Sequence, residues 1–324
     1  MTKRWVVRGL QLALLAVVVW GVWGRLRPEL GRLDAAELAR WHPSALPLLG
    51  SLVAVVAVYL VHGFLWRRIA GDITGRMPPR GSVIRVYFVS SLGRYIPGKV
   101  WQVAGLAMLA QRDGISAVGA TAASIIGQLG FLTTGCLFLA ATLPNWSGSG
   151  VAGIAAVGVL AAGALGLGFL TATRSGARLR HALAARVPAR VAPAIHALDR
   201  VRPGVAALWA LGYAASWILL GAAFALFVSA FAPAPLEHVR YLAGTVAASY
   251  LAGYIAIVAP AGIGVREAAM VALLAGVIPG PAALVVSIAS RLWFTAAELI
   301  PLAALPWLRQ RKGRAEGPAT LEVL

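Results

Sequence analysis

Six stretches of the chain, at about 5–23, 45–66, 115–143, 150–172, 205–231 and 282–307, are apolar for long enough to cross a bilayer. A helix rises about 1.5 Å per residue, so about 20 apolar residues span the hydrocarbon, and a helix bonds its own N–H and C=O groups where lipid cannot. Hydrophobic residues make up 60% of the 324 and charged residues only 12%, against about 25% charged in a soluble domain. The chain therefore reads as an all-α, polytopic membrane protein with about six full crossings. The first run follows Lys3, Arg4 and Arg8 and ends in Trp20, Trp23 and Arg25 with no small-residue cleavage site. That makes it an expected uncleaved transmembrane helix rather than a signal peptide.

The formal charge is +18, yet the cations lie between the apolar runs instead of in one soluble domain interleaved with aromatics. Nucleic acid is not an expected partner; positive charge in such loops sets topology and grips anionic headgroups. The clusters at Lys3–Arg8, at Arg67, Arg68, Arg76 and Arg80, at Arg174 to Arg202, and at Arg309 to Arg314 share one side if the remaining apolar regions make no net crossing. By the positive-inside rule that side is the cytoplasm, with both termini there and the cell membrane as the location. Arg25, Arg27, Arg32 and Arg40 oppose this assignment, with Glu29, Asp34 and Glu37 among them. Residues 1–312 read as a single membrane domain, 313–324 as a disordered cytoplasmic tail, and 174–202 as short interfacial helices.

Two further regions, 82–111 and 239–278, are apolar but broken by Pro and Gly with charges beside them. Irregular backbone at membrane depth is tolerated only where protein or a wet cavity surrounds it. Each is expected as a re-entrant hairpin, the first from the cytoplasm and the second from outside. Both share one order: broken hairpin, short helix, glycine (Gly114 or Gly276), long helix. That is the pattern of an inverted repeat, whose site lies where broken helices meet.

A helix starting after Pro97 or Pro260 aims free N–H groups and the positive end of its dipole into the protein. Arg94, Lys99 and Arg266 stand nearby, so an anion is expected there, a lipid phosphate being the natural one in a membrane. Other chemistries fail. Gly93-x4-Gly98-Lys99 begins a P-loop, but Val100 has no hydroxyl for magnesium and Pro97 no N–H. Gly262-x-Gly264 meets Glu267 where a dinucleotide motif needs glycine. His42, His62, His181, His196 and His238 are scattered and the only cysteine is Cys136, so neither metal, disulfide nor cofactor is expected. No nucleophile–base spacing is present, and no enzymatic activity is expected.

The Pro97-Gly98-Lys99 turn with Gln102, the stretch Arg112-Asp113-Gly114-Ile115-Ser116, the later Pro260-x-Gly262-x-Gly264-x-Arg266-Glu267, and Arg291-Leu292-Trp293 resemble the transmembrane region of lysylphosphatidylglycerol synthases and the flippase-like proteins related to it. The resemblance implies binding or translocation of phospholipid or polyprenyl-phosphate lipids. The chain departs from the family at Gly127-Gln128, where an acidic-basic pair is common, and at Trp101-Gln102, where Gly-Glu is common. The synthases append a soluble aminoacyltransferase domain, whereas this sequence stops shortly after Trp307, so lysine transfer is not expected of it.

The resulting expectation is a lipid flippase or transporter holding an anionic headgroup with Arg94, Pro97, Gly98, Lys99, Gln102, Pro260, Gly262, Gly264, Arg266 and Glu267. The alternative is a non-catalytic partner presenting such a lipid to a separate glycosyl- or aminoacyltransferase. Against a site role, Arg266 and Glu267 could form a structural ion pair with Arg291 or Glu298, and Arg94 and Lys99 could snorkel to headgroups. Arg291 and Glu298 lie two turns apart on one face and are expected to pair with each other. Tyr95, Trp101, Tyr250, Tyr254 and Trp293 read mostly as interfacial anchors.

Overall fold

The computed structural model describes residues 43–95, 100–143, 174–186, 192–232, 236–255, 262 and 264–303. The runs expected at 5–23 and 150–172, the cations before residue 43 and the tail beyond 303 lie outside these. All described elements are helical. Among the described residues four helices are long and apolar enough to span a membrane: α1 (Ala45–Thr74), α3 (Ala117–Thr142), α6 (Pro203–Phe231) and α9 (Gly280–Ala303). Shorter helices are α2 (Val100–Gln111), α4 (Arg174–Ala184), α5 (Ala192–His196), α7 (Val239–Ile255) and α8 (Val265–Leu274).

The boundaries have local causes. Gly75, at φ 73°, ends α1 by returning its N–H to Gly71 O, a left-handed stop that only glycine takes cheaply. Pro203 opens α6, where its missing N–H costs nothing. Ser116 caps α3 by accepting the Gly119 N–H at 3.1 Å. On the outer faces of the spans Val53, Leu211, Ile218 and Leu292 are largely exposed. Lipid is the solvent in which such surfaces are stable.

Packing fixes the direction of each helix. The Ser44 N–H donates to Ala230 O at 2.8 Å, and the Trp209 indole donates to Asp72 at 3.1 Å, so α1 and α6 are antiparallel. A Cβ on Gly119 would meet Thr74, and Arg240 donates to Ala141 O at 2.6 and 3.1 Å. Hence the end of α1 and the starts of α3 and α6 share one end of the bundle, while Ser44, Thr142, Phe231 and the start of α7 share the other. Arg67, Arg68, Arg76, Arg80, Arg112, Arg178, Arg186 and Arg202 all belong to the first, basic end. In the interior Trp217 is fully buried and stacks on Phe131 at 4.4 Å, its N–H donating to Phe131 O at 2.8 Å. Gly135 leaves room for that indole: a Cβ there would lie 2.5 Å from it.

Both broken regions are hairpins, and they enter from opposite ends. From the basic end the chain forms a π-helical turn, Val83–Phe88, one α-turn, Val89–Ser91, and a 3₁₀ turn, Leu92–Tyr95, before returning in α2. A Cβ on Gly93 would lie 2.7 Å from Gln102 N, and one on Gly105 3.9 Å from Ser90, the register of two antiparallel arms. From the opposite end α7 runs inward to Ile255, and α8 runs back until Leu273 O accepts the Tyr241 hydroxyl at 3.0 Å. α9 then packs against α1, α8 and the π-turn, so it touches both hairpins.

Candidate functional site

The site is built at the start of α8. Gly262 and Gly264 have φ of 67° and 87°, left-handed conformations that other residues adopt only with strain. A Cβ on Gly262 would also lie 2.7 Å from the Gly253 Cα, and one on Gly253 3.0 Å from the Arg266 Cβ. These glycines let the end of α7 lie directly on the turn and on the first residues of α8.

Glu267 stands at the third helical position. Its carboxylate accepts the Gly264 N–H at 2.7 Å, the carboxylate half of a capping box. The same carboxylate accepts both Nε and Nη2 of Arg291 from α9, at 2.6 and 3.1 Å. This is a forked, charge-assisted pair with side chains 30% and 11% exposed. Ser287 donates to the Glu267 carbonyl at 3.3 Å. Glu267 thus spends its charge inside the scaffold, countering the helix start and holding Arg291.

Arg266 is the residue left over. Its Nη2 reaches Ser290 Oγ at 3.5 Å, the limit of a hydrogen bond, and Ser290 already donates to Ser287 O at 2.7 Å. Its guanidinium carbon lies 4.3 Å from the centroid of the Phe294 ring, a cation–π contact. Its Nε is buried with no acceptor, and among the described residues no carboxylate pairs with it. Among the described residues, Glu267 bonds Arg291 directly and reaches Arg266 only through space, so Arg266 is a buried guanidinium without a direct carboxylate partner.

The expected pair between Arg291 and Glu298 is not formed. Seven residues along a helix separate the two by about 10 Å, whereas Glu267 comes to Arg291 from a neighbouring helix. Glu298 is 2% exposed and accepts the Tyr59 hydroxyl from α1 at 3.0 Å. The Tyr59 ring lies 6.5 Å from both Phe88 and Phe294. An aromatic row, Phe88–Tyr59–Phe294, therefore runs from the first hairpin to the ring under Arg266. Trp293, read above as an anchor, is 4% exposed and stacks on Phe227 at 4.8 Å, which makes it core.

Of the first hairpin's candidates, Gln102 opens the first full turn of α2 and is half-buried. Pro97, Gly98, Lys99 and the Arg94 side chain lie outside the described residues, as does Pro260. The structure also shows a pair not anticipated from sequence: Arg85 in the π-turn donates to Asp113 just after α2. Their separation of 28 positions left no local signal. A Cβ on Gly114 would strike the Arg76 guanidinium, so the loop beside this pair is closely packed too.

A family model described as the lysylphosphatidylglycerol synthase TM region matches residues 9–298. No curated protein matches the chain, and no solved structure matches it.

Proposed function

The chain belongs to the lysylphosphatidylglycerol synthase transmembrane-region family, and from that premise we propose that it is a lipid flippase or transporter, not an enzyme, that binds an anionic headgroup at Arg266. The observation that carries this reading is the unpaired guanidinium. A charge at membrane depth costs about 2.5–3.5 kcal/mol on insertion scales, and Arg266 meets that cost with one long hydrogen bond and one aromatic face. A phospholipid or polyprenyl-phosphate oxygen at its buried Nε would complete a charge-assisted contact. Glu267 and Arg291 position the helix start, and Gly262 and Gly264 shape the turn beside it.

Hairpins opening to opposite ends support passage between leaflets, because each brings broken backbone toward the middle from its own side. Arg94, Lys99 and Gln102 are assigned to the same headgroup path from the first hairpin. The basic end is assigned to the cytoplasm of the cell membrane, with both termini there.

Reconstitution into liposomes tests the reading. Labelled anionic phospholipid is expected to move between leaflets with the wild-type protein and to move at least about tenfold more slowly with Arg266→Gln, equivalent to about 1.4 kcal/mol. Lipid retained without any movement would favour presentation to a separate transferase; neither retention nor movement would refute both.

A further inference from the structure

The interfacial segment before α6 brings together three side chains that the functional site does not use. His181 lies in the last turn of α4, His196 ends α5, and Asp199 follows in the 3₁₀ turn Ala197–Arg200. His181 Nε2 lies 3.6 Å and His196 Nδ1 3.8 Å from the same oxygen, Asp199 Oδ2. The three ligand atoms lie within 4.8 Å of one another, with the imidazole rings 5.2 Å apart.

Both nitrogen–oxygen separations exceed the usual hydrogen-bond range of about 2.7–3.2 Å. They are instead close to the edge of a coordination tetrahedron: bonds of about 2.0–2.1 Å place ligands about 3.4 Å apart. Two edges of the set lie within a few tenths of an ångström of that spacing, and the third, between the imidazole nitrogens, falls within 4.8 Å, so a rotation of one exposed imidazole would close the set on an ion. We infer that His181 Nε2, His196 Nδ1 and the Asp199 carboxylate form a site for a divalent transition ion of the zinc class, with water completing the shell.

The surrounding charge sharpens the choice of ion. In sequence, Arg178, Arg180 and Arg186 flank His181, Arg200 and Arg202 follow Asp199, and Arg174 and Arg190 belong to the same segment. So basic a neighbourhood repels a hard cation held by charge alone, such as Mg²⁺ or Ca²⁺. An ion bonded to imidazole can still be retained, which selects Zn²⁺ and its neighbours. Coordination would tie α4 to α5 and the 3₁₀ turn. α5 packs on α3 and the 3₁₀ turn on α1, the two helices joined by the first hairpin.

The test uses the full chain in detergent, purified through a tag without histidine, stripped with chelator and titrated with ZnCl₂ or MgCl₂ by calorimetry. One Zn²⁺ per chain is expected with no Mg²⁺ signal, and His181→Ala and His196→Ala are each expected to weaken Zn²⁺ at least about tenfold. The three side chains are exposed, so metal-free melting should match wild type. Added Zn²⁺ should raise the Tm of the wild type and leave that of Asp199→Asn unmoved. A wild-type protein that takes up no Zn²⁺, or a His181→Ala/His196→Ala double variant that binds it as tightly, would overturn the inference.

Discussion

The two hairpins enter from opposite ends, but they are fastened at different places. The first is latched at its mouth: Arg85 in its inbound arm pairs with Asp113 just beyond its outbound arm. The second is latched near its tip, where Glu267 ties the start of α8 to Arg291 of α9 and to Gly264. A mouth latch holds the arms together and places no constraint on what the tip carries. A tip latch spends a carboxylate on the scaffold and fixes the adjacent Arg266 without a direct carboxylate partner among the described residues. The same order of elements thus yields one hairpin closed at the surface and one that presents a positioned cation.

Substitutions can break this contrast, and the largest expected effect is at the tip. Glu267→Gln leaves Arg291 without its carboxylate and is expected to cost about 3–5 kcal/mol, read as a large fall in Tm in detergent. Glu267→Gln combined with Arg291→Met should recover much of that loss, since an apolar pair strands no charge. An unchanged Tm for the single variant would mean that the tip is held by something else.

Next comes the turn itself. Gly262→Ala forces a left-handed residue and drives a Cβ to 2.7 Å from the Gly253 Cα, so a loss of at least about 1–3 kcal/mol is expected. A backbone that absorbed alanine with no fall in Tm would show that α7 and the turn are not in contact. At the mouth of the first hairpin the effect should be smaller, because one contact joins Arg85 to Asp113 where Glu267 accepts two from Arg291 and one from Gly264. The two pairs are similarly buried, 37% and 8% exposed against 30% and 11%, so Asp113→Asn should still lower Tm measurably, while hydrogen exchange at 83–95 quickens more than at 265–274. Equal quickening in both segments would erase the distinction between the latches.

The spans were legible because apolar length is a local property: the runs at 45–66, 115–143, 205–231 and 282–307 each contain or nearly match a helix found in the structure. The second break was legible for the same reason, since Gly262 and Gly264 act on the backbone where they stand, whereas Pro97 and Pro260 lie outside the described residues. Partner choice was not. Arg291 and Glu298 share a face of one helix, yet the carboxylate that reaches Arg291 sits on another helix 24 positions away. Only tertiary packing selects between them. The π-turn at Val83–Phe88 has no composition that distinguishes it from an α-helix. His181, His196 and Asp199 become neighbours only because two short helices fold back on each other.

The smallest expected effect on stability comes from the residue that matters most for the proposed activity. Arg266→Gln removes a buried charge that has no direct carboxylate partner among the described residues and should leave Tm unchanged or slightly higher. The direct test is to purify wild type and Arg266→Gln side by side from the same membranes and compare their bound lipids by mass spectrometry. Anionic lipid retained by the wild type and lost from the variant at equal Tm is the predicted result. Equal anionic lipid in both would contradict the assignment of Arg266 as the headgroup contact.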